Sequence, residues 1–144
     1  MKKEKITFLK PKEGNSIGQW LIEQGISAGF PSPADDFKEI RISLDKELVK
    51  NRDATFYAKV SGESMVGAGL DDGDLLIIDR SKSVENGKIA ICLIDGEFTV
   101  KRIKKENNRL YLKPENKKYK KIELKEGDEL VIWGIVTYVI KSLI

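Results

Sequence analysis

From Thr55 onward the chain alternates apolar and polar positions, or runs through short apolar bursts, with turn-forming residues between them. This pattern predicts strands at Thr55–Val60, Leu75–Asp79, Lys88–Leu93, Glu97–Ile103, Arg109–Pro114 and Leu130–Ile140. The breaks fall at Asp71-Asp72-Gly73-Asp74, Glu85-Asn86-Gly87, Asp95-Gly96 and Asn107-Asn108, residues that favour turn dihedrals. Asp95-Gly96 between two apolar runs predicts a tight hairpin. Strand after strand at this spacing predicts a mainly β fold, a small barrel or sandwich. Leu44 to Asn51 reads as a short helix, with Ser43 or Asp45 as cap and Leu44, Leu48 and Val49 on one face. No internal repeat is visible.

The first 42 residues read differently. They hold Pro11, Pro31 and Pro33, three of the chain's four prolines, and show little strand periodicity. Ser16–Ile22 suits a short turn of helix or a strand. Pro31 and Pro33 push Phe30 and Ser32 toward extended backbone, the form in which a protease cleft accepts substrate. A disordered or domain-swapped arm fits the same features. The expected division is an N-terminal arm over 1–42 and a β domain over 43–144.

Composition narrows the class. A chain of 144 residues, 40% hydrophobic and 34% charged, fits one soluble domain with an arm. A formal net charge of +3 demands no nucleic-acid partner. The basic start Met1-Lys2-Lys3 precedes no apolar signal-peptide core, because Lys5, Lys10, Lys12 and Glu13 interrupt it. No stretch has the length of a membrane span, so no membrane partner is expected. The single cysteine, Cys92, excludes an internal disulfide and suits a reducing cytoplasm. Its setting in Ile89-Ala90-Ile91-Cys92-Leu93-Ile94 favours a buried structural thiol.

The chain contains no histidine. A serine nucleophile here therefore needs another base, and lysine is the known alternative. Lysine serves only when neutral, and burial in apolar surroundings favours that form. Ser64 sits in the small-residue turn Ser61-Gly62-Glu63-Ser64-Met65, and Lys101 in the strand pattern Phe98-Thr99-Val100-Lys101-Arg102. Alternation along a strand puts Lys101 on one face with Thr99 and Ile103. An exposed lysine on an edge strand is the competing reading. Gly62 allows close approach to a substrate or an unusual dihedral. Glu63 reads as a solvated turn residue.

Other clusters carry less. Asp71, Asp72, Asp74 and Asp79 lack the ligand alternation of a calcium loop, and a turn with solvated carboxylates is favoured; no metal site is expected. Lys117-Lys118-Tyr119-Lys120-Lys121 suits a hairpin tip or a lysine-protected sheet edge, or a phosphate contact with Tyr119 stacked on a base. Trp133 lies in an apolar strand and suits the core or a dimer interface.

Four blocks in order resemble the LexA/UmuD family of self-cleaving serine peptidases (peptidase family S24). They are Ser27-Ala28-Gly29-Phe30-Pro31-Ser32-Pro33-Ala34-Asp35-Asp36, Ala58–Met65, Asp72–Asp79 and Glu97–Arg102. The resemblance runs from about Ser27 to Tyr138. It implies a Ser64 nucleophile, a Lys101 general base, an oxyanion hole from the backbone N–H groups of Glu63 and Ser64, and cleavage between Ala28 and Gly29. Met65 would pack beneath the site. No cofactor or metal is implied. Only 28 residues precede Gly29, too few for the helix-turn-helix domain of the family's repressors. That favours the SOS-response branch: a homodimer that cuts its own arm when bound to a RecA nucleoprotein filament, then joins a UmuC-like translesion DNA polymerase, touching DNA only indirectly. A non-catalytic regulatory module of such a polymerase, a phage-type repressor peptidase domain, and a stand-alone peptidase are the alternatives.

Overall fold

The computed structural model describes residues 7–9, 19–22, 39–63, 65–125 and 130–144. In chain order the strands are β1 (Thr7–Leu9), β2 (Gln19–Ile22), β3 (Glu39–Ile42), β4 (Thr55–Lys59), β5 (Leu75–Asp79), β6 (Ile89–Ile94), β7 (Glu97–Glu106), β8 (Arg109–Lys113), β9 (Ile122–Glu123) and β10 (Leu130–Ile140). A one-turn helix α1 (Leu44–Leu48) lies between β3 and β4. The chain divides into two units, Lys12–Lys50 and Met1–Pro11 with Asn51–Ile144.

In the smaller unit β2 and β3 form an antiparallel pair, with Gln19 opposite Ile42 and Ile22 opposite Glu39. Helix α1 follows and is shorter than its sequence pattern predicts. The β-branched Val49 is already extended, and its N–H closes the turn onto Asp45 O. Polar Lys50 to Asp53 then offer nothing to bury, and Arg52–Ala54 tighten into a separate 3-10 turn. Leu44 is exposed, and Ser43 makes no side-chain capping bond.

The larger unit is one eight-stranded sheet in the order β1-β4-β5-β10-β6-β7-β8-β9. Every neighbouring pair is antiparallel. Tight turns set much of this order. Asp95 and Gly96 both have positive φ, as do Asn107 and Asn108, the geometry that matches the natural twist of a hairpin. β10 returns to lie between β5 and β6. It shifts register against β6 between Ile132 and Gly134, and against β5 between Val136 and Tyr138. Such bulges bend a strand. Gly134 permits the first bend: a Cβ there would lie 2.6 Å from Ile78 Cγ2.

The mainly β expectation holds, and the six predicted strands are present to within three residues at either end. Strands β1 to β3 arise where little periodicity was expected. Three or four residues are too few to show a period, and their partners lie far along the chain. The outermost strands β1 and β9 pair with no further strand among the described residues, so the sheet is open there.

Side chains are buried on both faces of the sheet. One cluster holds Ala58, Val60, Met65, Leu70, Leu76, Ile78, Ile91 and Val100. The other holds Ala90, Cys92, Ile103, Leu112 and Ile135. The alternation of side chains along β6 explains the division: Ile91 joins the first, Ala90 and Cys92 the second.

Candidate active site

Lys101 occupies the middle of β7, an interior strand, which removes the edge-strand reading. It pairs with Ala90, while Thr99 pairs with Cys92. Directly opposite residues share a face, so Lys101, Thr99, Ile103, Ala90 and Cys92 line one surface. Lys101 is 7% exposed. Its Nζ donates to Thr99 Oγ1 at 2.6 Å and to Val100 O at 3.1 Å. Burial pushes the Cys92 thiol up to about 12, an effect that the nearby Lys101 charge partly offsets. Cys92 is therefore a protonated, apolar-lying floor at neutral pH, as its sequence setting suggests.

Ser64, Ala28 and Gly29 lie outside the described residues. The residues flanking Ser64 are held from two sides. On one side, Gly62 is buried with φ 112°, a region that L side chains avoid. Its N–H donates to Asp72 Oδ1 at 3.0 Å. The acidic turn that supplies Asp72 is itself bonded to the end of β4. Val60 N–H donates to Asp74 O, and Gly73 N–H to Val60 O, both at 2.8 Å. Asp74 Oδ2 accepts from Asp71 N–H at 2.8 Å and from Lys141 Nζ at 2.5 Å.

On the other side stands the loop after β8. Asn116 Nδ2 donates to Glu63 O at 2.8 Å. Glu115 N–H donates to Met65 Sδ at 3.4 Å. Met65 is buried in the first core cluster, and Gly67 approaches Glu115 so closely that a Cβ would sit 1.9 Å from Glu115 O. Glu115 also forms an ion pair with Arg102, the residue after Lys101. Arg102 Nη1 donates further to Gly87 O at 2.5 Å. The strand that carries Lys101 is thus tied to the residues beside Ser64 through Arg102 and Glu115.

Sequence reading missed Asp72, Arg102, Glu115 and Asn116 as supports. Asn116 lies 53 residues from Glu63, a separation at which no local spacing rule operates. Asp72 was legible only as a turn residue. The acidic cluster is less solvated than expected, with Asp74 and Asp79 buried. Asp79 Oδ1 accepts from the backbone N–H and hydroxyl of Ser81 at 2.8 and 2.5 Å, and Asp74 has Lys141. These partners replace lost water, which is what burial of a carboxylate requires. Glu63 is exposed as expected. Lys117 to Lys121 precede the sheet-edge strand β9, with Lys121 Nζ 4.2 Å from the Tyr111 ring centroid.

The Peptidase S24-like family matches residues 21–137 of this chain. The chain belongs to that family. Among curated relatives, Protein MucA of Salmonella typhimurium is 40% identical over 116 residues, covering 80% of this chain and 79% of MucA. Protein ImpA of Salmonella typhimurium is 44% identical over 93 residues, 65% of this chain and 64% of ImpA. The LexA repressor of Clostridium botulinum is 42% identical over 119 residues, 83% of this chain and 59% of the repressor. As an S24 chain it is LexA/UmuD-like, in agreement with the four sequence blocks. Among the described residues, no helix is long and apolar enough to cross a membrane.

Proposed function

We propose that this chain is a self-cleaving serine endopeptidase of the SOS response, cutting its own arm between Ala28 and Gly29 with Ser64 as nucleophile and Lys101 as general base. The observation that carries the reading is the burial of Lys101 inside the sheet, with Nζ donating to Thr99 Oγ1 and Val100 O. A neutral amine has two N–H bonds and one lone pair. Thr99 Oγ1 and Val100 O accept from Nζ, and in the neutral form the lone pair takes the Ser64 proton. Ser64 Oγ then attacks the Ala28 carbonyl carbon, and the backbone N–H groups of Glu63 and Ser64 receive the oxyanion. Such donors are worth about 2.7–4 kcal/mol in the transition state. Collapse breaks the C–N bond, the Gly29 amine takes the proton from Lys101, and water hydrolyses the acyl-enzyme.

The hydrogen bonds that Gly62 N–H donates to Asp72 and that Asn116 donates to Glu63 O support the hole by fixing the backbone next to the nucleophile. In this reading the protein works in the cytoplasm as a homodimer, 1–42 is the cleavable arm, 43–144 the peptidase domain, and neither metal nor cofactor takes part. A RecA–single-stranded-DNA filament acts by favouring the docked arm, and the shortened dimer becomes a subunit of a UmuC-like polymerase.

Incubation of the purified chain at alkaline pH, followed by intact-mass measurement, tests the assignment. The expected product begins at Gly29, and Ser64→Ala yields none while remaining folded. A different new amino terminus, or processing of Ser64→Ala at the wild-type rate, would sink it.

A further inference from the structure

Strand β1 lies on the amino-terminal side of the proposed scissile bond, yet it belongs to the sheet. Thr7, Phe8 and Leu9 pair with Lys59, Ala58 and Tyr57 of β4. β1 is the outermost strand on that side, so without it β4 would be the sheet edge. Phe8 is the wedge of this contact. Opposite it stands Ala58, fully buried and small enough to leave room for a ring. The Phe8 ring fills that room, with centroids 4.5 Å from Trp133 and 4.8 Å from Phe98. Trp133 also stacks edge-on against Phe56 at 4.9 Å and carries Arg80 Cζ 4.4 Å from its centroid. Trp133 sits at the β10 bulge against β6, which turns it toward this cluster.

We propose that the β4 edge and the Phe56, Phe98 and Trp133 aromatic cluster form a binding groove for an extended strand with a central aromatic residue, and that its ligand is the chain's own Thr7–Leu9. The recognition combines backbone pairing with one side-chain pocket, the usual logic of strand addition. While the chain is continuous, the strand is held at high effective concentration and the groove is filled in cis. A cut anywhere between Leu9 and Asn51 leaves, among the described residues, three paired positions and the Phe8 ring to hold it. The strand then becomes exchangeable, either leaving the edge bare or being replaced by the same segment of a second copy. A bare β4 would present unpaired N–H and C=O groups beside an uncovered Trp133, a surface ready for association.

The test does not depend on self-cleavage. In a Ser64→Ala chain a recognition sequence for a site-specific protease is placed between residues 23 and 38, and the chain is cut with that protease. Hydrogen exchange of the Tyr57–Lys59 amides is followed before and after, together with Trp133 fluorescence in a Trp20→Phe background. A synthetic peptide of residues 5–12 is then titrated into the cut protein. The expected results are slow exchange in the continuous chain, faster exchange after the cut, and restoration of protection and of the Trp133 signal by the peptide. A peptide carrying Phe8→Ala should bind at least about tenfold more weakly, since truncating a packed Phe removes more than the 1.4 kcal/mol that a decade in affinity represents. Unchanged exchange on cutting, or equal binding by the two peptides, would overturn the proposal. Failure of the wild-type chain to cut itself would count against the peptidase reading and leave this result intact.

Discussion

The two halves of the candidate site are built in opposite ways. Lys101 is set by ladder register: β6 and β8 flank β7, and alternation alone decides which side chains surround it. The backbone beside Ser64 is set by side chains that arrive from elsewhere, Asp72 from the acidic turn and Asn116 from the loop after β8. A base that must stay neutral benefits from a dry, regular strand. An oxyanion hole needs N–H groups that point away from any ladder, so its backbone must leave regular structure and be braced individually. The contrast predicts that the turn breaks through packing and bracing, and the strand through chemistry.

The largest effect should come from Gly67→Ala. The new Cβ would collide with the backbone of Glu115, displacing the loop that braces Glu63 and Met65. Overpacking of this kind costs about 1–3 kcal/mol. Denaturant unfolding should show that loss, with self-cleavage slowed in the same variant. Unchanged stability and rate would mean that the loop does not brace the turn.

Thr99→Val comes next, and it separates the two halves. It keeps the shape beside Lys101 but removes the hydroxyl that accepts from Nζ. A hydrogen bond is worth about 0.5–1.5 kcal/mol net, so cleavage should slow by up to roughly tenfold while the unfolding midpoint moves little. An equal loss of rate and stability would mark Thr99 as a packing residue only.

Legibility in the sequence follows the same line between the halves. Lys101 on one face with Thr99 and Ile103 was readable because a strand has period two. The hairpins at Asp95-Gly96 and Asn107-Asn108 were readable because few residues accept positive φ. The slot of β10 between β5 and β6 was not, because register across a long connection depends on bulges at Trp133 and Thr137 that leave no local pattern. Nor was the Arg102–Glu115 ion pair, which joins positions 13 apart across β7 and the loop after β8. The family blocks pointed to Ser64 and Lys101 without the supports around them.

The smallest effect should be that of Lys141→Met. Lys141 bonds Asp71 and Asp74, and these bonds, Asp71 first, raise its pKa above the ordinary lysine value. A raised lysine contributes stability that is complete below its unfolded value and is lost as pH rises through the folded one. Lys141 and Asp71 are open to water, and the buried Asp74 keeps its bond from Asp71 N–H, so the variant should lower the unfolding midpoint only slightly at neutral pH, and less in high salt. A large loss would mean that the acidic turn depends on this one cation to hold Gly62.

The central claim is that neutral Lys101 takes the proton from Ser64, and the pH dependence of self-cleavage tests it most directly. Cys92 sets the upper end of the usable range. Its thiol is raised to about 12 by burial, so folding stability is complete below the unfolded thiol value near 9.0 and falls as pH climbs from there toward 12. The rate of appearance of the Gly29 terminus should therefore be measured by mass, without filament, from about pH 7 to 9. For the wild type the rate should rise with pH, because only an unprotonated amine can accept the Ser64 proton. Lys101→Ala should lose both the rate and the slope while unfolding as a folded domain does. A flat wild-type profile, or wild-type cleavage by Lys101→Ala, would contradict the account.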